Sequence, residues 1–371
     1  MDTLLFVSKI SKKLHIEHIS YNILKTLPML KLKKRIGGGN LNDVLKVCHG
    51  ISADNGESCI CNRVLSTRKF LYDVDIIVPV YNAEQYISGC INSILQQRTK
   101  FSFHIIIVND GSTDGSREKL KQFENNESVT IIDQENKGHS GARNTGLDNC
   151  FGKYVMFVDA DDRLPLNAIE ALVDEAVKGD YDIVGGGYSR FDGERILLKT
   201  LPRHSQLFGF PWGKVYKATI WDNVQFPQNY WFEDTVCAFV IHDRASRISA
   251  LEEVIYEWRR NTQSVSFFSE GKPKILDTLY ITDQLLKDRI QLNLPFDESF
   301  CDILLHQFKV NAMRIYTLGD SIANFANYVF SREIFNRFVR PLDFHSKQYD
   351  NIEESLADDS YKQFIISCLL V

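Results

Sequence analysis

This sequence predicts an α/β architecture: a mostly parallel central sheet with helices on both faces. Three observations carry that expectation. Short β-branched strands recur about every 25–30 residues from Asp75 to Val184, with helical patterns between them. The strands are continuous apolar runs, as in a sheet covered on both faces. Carboxylate-bearing segments follow the strand ends, at the edge where open α/β sheets hold ligands.

The elements follow in order. Asp75–Val80 is a buried strand, and a helix with Ile87, Ile91, Ile94 and Leu95 on one face comes next. His104–Val108 is the second strand, with helix signals from Asp114 to Phe123 behind it. Val129–Ile132 is the third, followed by a helix around Ala142–Leu147. Tyr154–Val158 is the fourth, followed by a helix carrying Ile169, Leu172, Val173 and Val177, and Asp182–Val184 is the fifth strand. After Gly187 the alternation decays into short strands, aromatics and turns. Val236–Ile241 reads as a buried helix, and residues 273–340 look mainly helical. The expected division is a basic, partly helical extension over 1–72, a catalytic domain over 73–270 and a mainly helical region over 271–371.

Composition narrows the class. The apolar content of 44% and charged content of 25% are those of a globular protein with a sizeable core. A formal net charge of -5 speaks against nucleic acid as the partner of the whole chain. The eight cysteines are scattered, and Cys59-Ile60-Cys61 lacks zinc-ligand spacing, so free thiols are expected. No run reaches the roughly 20 apolar residues of a membrane span. Residues 1–36 hold eight Lys/Arg against Asp2 and Glu17, with apolar residues near helical spacing. That segment fits two readings equally: an amphipathic helix on an anionic membrane, or a helix docked on the protein itself. Phe325, Tyr328, Phe330, Phe335 and Phe338 offer further membrane contact, with helix core as the favoured reading of each.

Three strand exits converge on one edge. The first ends in Pro79-Val80-Tyr81-Asn82, the second in Asn109-Asp110-Gly111, and the fourth in Asp159-Ala160-Asp161-Asp162. Carboxylates at a strand exit suit a hard divalent cation that also meets a substrate's phosphates. The same Asp-x-Asp spacing at Asp73–Asp75 and Asp180–Asp182 lies at strand entrances and reads as solvated loop carboxylates. Asp110 can accept a hydrogen bond from a base or ribose, while Asp114 reads as a helix N-cap. Asn136–Asn144 brings Lys137 and Arg143 to a helix start, a place for an anionic group. Glu233-Asp234 fits either N-terminal helix charges or a general base.

Together these residues resemble family 2 glycosyltransferases of the GT-A fold, of the bacterial polysaccharide or capsule type. Seven segments carry the resemblance over about half the chain: Ile77–Asn82, Val108–Asp114, Asn136–Asn144, Phe157–Asp162, Trp212–Lys217, Phe226-Pro227 and Glu233-Asp234. The resemblance implies inverting transfer from a nucleotide-sugar, with a UDP-sugar as leading donor, to a hydroxyl of a glycan or lipid-linked acceptor. It implies a hexosyl- or N-acetylhexosaminyltransferase. By the same resemblance Pro79, Tyr81, Asn82, Asp110, Lys137, Arg143, Asp159, Lys214 and Arg259 would bind the nucleotide-sugar. Asp161 with Asp159 would hold Mn²⁺ or Mg²⁺, and Asp234 would be the base with Glu233 in support. Trp258-Arg259-Arg260 with Ser264–Ser266 is similar to the segment that closes over the diphosphate, where Trp258 replaces a more usual Tyr. The implied setting is cytoplasmic, peripheral on the inner membrane face. The competing readings are an inactive scaffold on this fold and a nucleotidyltransferase. The intact Asp110, Asp159, Asp161 and Asp234 weigh against the first, and the lack of a Gly-rich cationic loop after the first strand against the second.

Overall fold

In a computed structural model, residues 41–202, 209–261 and 269–370 are described. The basic segment up to Arg35, the triple glycine 37–39 and Ser264–Ser266 lie outside them. The chain forms two compact units, one over Gly56–Thr262 and one made of the described parts of 1–55 and 263–371.

The first unit is built on β1 (Tyr72–Val80), α2 (Ile87–Leu95), β2 (Phe103–Asp110), α3 (Ser116–Leu120), β3 (Val129–Gln134), α4 (Gly138–Asp148), β4 (Gly152–Phe157) and α5 (Ala168–Gly179). It continues through β5 (Ile183–Asp192), β6 (Arg195–Thr200), β7 (Lys214–Lys217), a π-helical turn (Cys237–Ile241), α6 (His242–Arg244) and β8 (Ile248–Arg259). α1 (Leu41–His49) belongs to the other unit.

Strands β3-β2-β1-β4 are parallel neighbours, as the continuous apolar runs predict. β1 is central, and its residues from Val74 to Val80 are buried because both faces are covered. β7 joins antiparallel to β4 and to the start of β5, β6 pairs antiparallel with the end of β5, and β8 runs parallel to β5. The chain steps from β1 to β2 and β3 on one side and then returns to β4 on the other. That reversal opens a crevice beyond the carboxyl ends of β1 and β4.

Two expectations are corrected. Asp75 is not a solvated loop carboxylate: it is fully buried, accepts bonds from the Phe151 and Gly152 backbone N–H at 2.5 and 2.6 Å, and pairs with His104. It satisfies donors at the start of β4 that the parallel ladder leaves over. Asp182 likewise accepts from the Ser246 and Arg247 N–H and so ties the start of β5 to β8. The buried helix expected at Val236–Ile241 is a π-helical turn instead, and β8 is a strand the sequence reading did not mark.

The other unit is helical: α1, α7 (Asp277–Gln291), α8 (Glu298–Tyr316), α9 (Ser321–Phe338), α10 (Asp350–Ala357) and α11 (Tyr361–Leu370). Asp297 caps α8 through the Phe300 N–H and Asp320 caps α9 through Ile322 and Ala323. Tyr328, Phe330 and Phe335 are buried, so the helix-core reading holds for these three. All eight cysteines are free thiols.

Candidate active site

The site grows from α4. Gly146 lets this helix sit against β1, since a Cβ there would come within 2.3 Å of Ile77. Docked this way, α4 presents His139 and Arg143, four residues apart, on one face. The Arg143 guanidinium is 2% exposed and splits its donors. One nitrogen reaches Asp159 Oδ1 at 2.8 Å and another reaches Glu233 Oε1 at 2.6 Å. His139 lies alongside, 3.7 Å from the same Asp159 oxygen and 3.5 Å from the same Glu233 oxygen. Carboxylates from the β4 exit and from the turn before the π-helix thus meet on one cation.

The electrostatics follow from burial and pairing. Burial opposes the charge on Glu233, but the His139 hydrogen bond and the Arg143 charge outweigh it and hold the carboxyl down at about 2. Burial likewise opposes the Arg143 charge, and Asp159 and Glu233 together keep its proton more tightly bound than usual. A carboxylate so firmly ionised is a weak base. Glu233 therefore belongs to the frame of the site, and its neighbour Asp234, half-buried, is the better candidate for proton chemistry.

The acidic turn after β4 is divided in its duties. Asp162 is buried and committed: Tyr256 Oη donates to it at 2.6 Å and the Arg259 N–H at 2.7 Å. Tyr256 Oη also accepts from the Asp159 N–H at 3.1 Å. Asp161 accepts from Asn261 at 2.8 Å, and its backbone carbonyl accepts from Arg259 Nε at 2.6 Å. Burial pushes the Asp161 carboxyl up, and the charge of Asp159 adds to this against the Asn261 hydrogen bond. Asp161, whose ionisation burial penalises, and the nearby Asp159 are a donor set that a hard cation would relieve. They fit Mg²⁺ or Mn²⁺, which take one or two carboxylates and complete their shells with phosphates and water. Among the described residues no group of three or more His, Cys, Asp or Glu side chains is placed to hold a metal by itself.

The remaining candidates spread along the edge. Pro79 is buried in β1, and Tyr81 just beyond it is 52% exposed. Asn82 adopts a positive φ of 49° and accepts from the Thr113 N–H at 2.8 Å, which ties the β1 and β2 exits together. Asp110 accepts from Gln134 at 2.6 Å and from the Lys137 N–H at 2.8 Å, so it fixes the start of α4. Gly111 beside it has φ 69° and faces the Asn136 backbone too closely for any side chain. The Lys137 side chain is exposed at that helix start. Asp114 accepts from the Ser116 N–H and from the Glu84 N–H, but the N-cap of α3 is Gly115, so Asp114 stands one residue before the position expected of it. Lys214 is 2% exposed and donates to the Phe210 carbonyl at 2.5 Å, and burial lowers its pKa to about 8. Arg259 lies over the Tyr86 and Phe191 rings while its backbone holds Asp162.

His139, Tyr256 and Asn261 have no role that the sequence pattern alone points to. His139 stood inside the quoted Asn136–Asn144 segment, so its position was in hand. Tyr256 lies on β8 and Asn261 just past its end, and nothing in the sequence pattern marks that strand.

Residues 75–254 match the profile of glycosyl transferase family 2. The glycosyltransferase GlyA of Streptococcus pneumoniae is 33% identical over 218 residues, 52% of this chain and 31% of that protein. The match therefore spans under a third of that relative's length. The minor teichoic acid biosynthesis protein GgaA of Bacillus subtilis is 25% identical over 79% of this chain and 71% of its own. Among solved structures, S. aureus TarS 1–349 in complex with UDP-GlcNAc superposes with a TM-score of 0.56 at 17% identity, over 79% of this chain and 89% of that one. That likeness shows a shared fold, the GT-A fold.

Proposed function

We propose, from the premise that this chain belongs to glycosyl transferase family 2, that it moves a sugar from a nucleotide-diphosphate sugar to a hydroxyl with inversion, in bacterial surface polysaccharide synthesis. The observation that carries the reading is the Arg143 junction: it joins the Asp159 exit of β4 to Glu233 and so fixes the neighbouring Asp234.

The crevice beyond β1 and β4 takes the donor. Tyr81, Asn82 and Asp110 stand on the β1–β2 side, where a nucleoside would lie. Asp159 and Asp161 would hold Mn²⁺ or Mg²⁺, and that ion, when bound, would offset the charge of the leaving diphosphate. Asp234 accepts the proton of the acceptor hydroxyl as its oxygen bonds the anomeric carbon. The bond from that carbon to the phosphate oxygen breaks, and the diphosphate leaves with the electron pair. Attack from the side opposite the leaving group inverts the carbon. Glu233 stays ionised and, through Arg143, keeps Asp159 in place.

A UDP-sugar is the leading donor and a lipid-linked or free glycan the acceptor. Among the described residues no helix is long and apolar enough to cross a membrane. Attachment to the inner membrane face would rest on residues 1–36, and sedimentation with anionic vesicles, with and without that segment, tests it.

The function is tested by incubating the full chain with a panel of UDP-, GDP- and TDP-sugars and Mn²⁺. Release of free nucleoside diphosphate from at least one donor is expected. Pyrophosphate as the product, or no turnover and no nucleotide binding across the panel, would refute the reading.

A further inference from the structure

Beside the acidic turn lies a group of stacked rings that the transfer chemistry leaves unused. Trp212 stacks on Tyr256 at 4.4 Å and on Phe210 at 4.5 Å, with planes 14° and 4° apart. Tyr188 stands edge-on to Trp212 at 5.3 Å and to Trp258 at 6.1 Å. Trp212 and Tyr256 are buried and form the floor, whereas Tyr188, Phe210 and Trp258 are only half-buried. The Arg190 guanidinium lies 4.8 Å from the Trp258 ring centre, and these two residues face each other in the β5–β8 ladder.

Two features tie this platform to the site. Tyr256 Oη bonds both the Asp159 N–H and Asp162, so the floor and the acidic turn are one rigid piece. Tyr256 and Trp258 are two apart on β8 and share a sheet face, with Trp258 one step nearer the exit edge. In the sheet, β4 lies between the β1–β2 side and the β5–β8 side. The platform is thus across the acidic turn from Tyr81 and Asp110.

We propose that Tyr188, Phe210, Trp212 and Trp258 form the acceptor subsite, and that its ligand is a pyranose of the acceptor glycan stacked by its C–H face on Trp258. This rests on the transferase reading above, and it takes Trp258 out of the diphosphate-closing role that the family resemblance implies, leaving that role to Arg259. A pyranose has an apolar face of axial C–H groups and a polar rim. Flat, half-buried rings match the face through dispersion, and the exposed Arg260, 3.8 Å from Asp192, supplies donors for rim hydroxyls. A nucleobase also stacks on aromatic rings, and the test separates the two.

The experiment is saturation-transfer NMR on the full chain with UDP and Mn²⁺ present. The probes are the methyl β-glycosides of glucose, galactose, N-acetylglucosamine and N-acetylgalactosamine. At least one should receive saturation, strongest at the protons of one ring face. Trp258→Ala should weaken that transfer about ten-fold, and so should Trp258→Leu, which keeps the apolar packing but removes the flat ring. UDP affinity, measured separately by calorimetry, should stay within about two-fold in both variants. No saturation of any probe, or equal saturation in wild type and Trp258→Leu, overturns the proposal. Loss of UDP affinity in Trp258→Leu overturns it too, by giving the ring to the donor. If the wild type binds no UDP, it is the transferase reading that has failed.

Discussion

Replacing Arg143 by Met is the perturbation with the sharpest arithmetic. The guanidinium is buried and shared between Asp159 and Glu233, at 2.8 and 2.6 Å. Met keeps much of the volume but leaves two carboxylates facing each other without their cation. Breaking a buried pair from one side costs about 3–5 kcal/mol. Glu233 is held at about 2 against an ordinary 4.5, a gap of about 3 kcal/mol that the His139 hydrogen bond and the Arg143 charge share, so the loss of Arg143 removes only part of it. The sign is that of a depressed carboxyl: the folded state binds fewer protons than the unfolded chain between these values. The contribution is present in full above about 4.5 and is lost as pH falls toward 2. Urea unfolding of wild type and Arg143→Met between pH 3 and 7 reads both effects. The variant should be less stable by about 3–5 kcal/mol at pH 7, and the gap should shrink toward pH 3. Arg143→Lys should recover only part of the loss, since one ammonium lacks the planar fork that reaches both partners. A gap under about 1 kcal/mol at pH 7, or one that does not change with pH, would refute the reasoning.

Four further outcomes are expected. Asp161→Asn should weaken Mn²⁺-dependent donor binding in calorimetry and lower turnover by several kcal/mol of barrier, on the order of 10²–10³-fold; full activity of this variant in EDTA would remove Asp161 from the metal site. Asp234→Asn should bind UDP as wild type does yet lose about 10²–10⁴-fold in transfer, and normal turnover at saturating acceptor would exclude it as the base. Asp75→Ala should cost about 3 kcal/mol or more in chemical unfolding, because it strands the Phe151 and Gly152 N–H groups in the core; a neutral result would contradict that assignment. The buried Lys214, lowered to about 8, binds fewer protons when folded than when unfolded, so stability should rise as pH goes from about 8 toward 10.5, and Lys214→Met should abolish that rise in thermal melts.

The strands β1, β2 and β4 were legible because a strand buried on both faces must be apolar at nearly every position, and Ile76–Val78 or Ile105–Val108 can hardly be anything else; β3, at the sheet's edge, showed only as a short β-branched run. The GT-A fold and the family followed from motifs that sit at strand ends. The acidic turn was visible for the same reason, since carboxylates straight after a buried strand interrupt an otherwise apolar pattern. What those carboxylates do was not visible. Asp75 and Asp161 each stand two residues from another aspartate, and only packing makes one a buried acceptor for the β4 backbone and leaves the other crowded against Asp159. The sequence alone determined strands β1 to β4, the resemblance to family 2 glycosyltransferases and which segments reach the sheet's edge. The tertiary structure alone decided that Arg143 joins Asp159 to Glu233, that Tyr256 commits Asp162, and that rings from β5, from the segment before β7 and from β8 stack beside them. The physical reason is range. Hydrophobic period acts over a few neighbouring residues, whereas the ion pairs and hydrogen bonds of the site join residues 16 to 97 positions apart, and no local pattern records them.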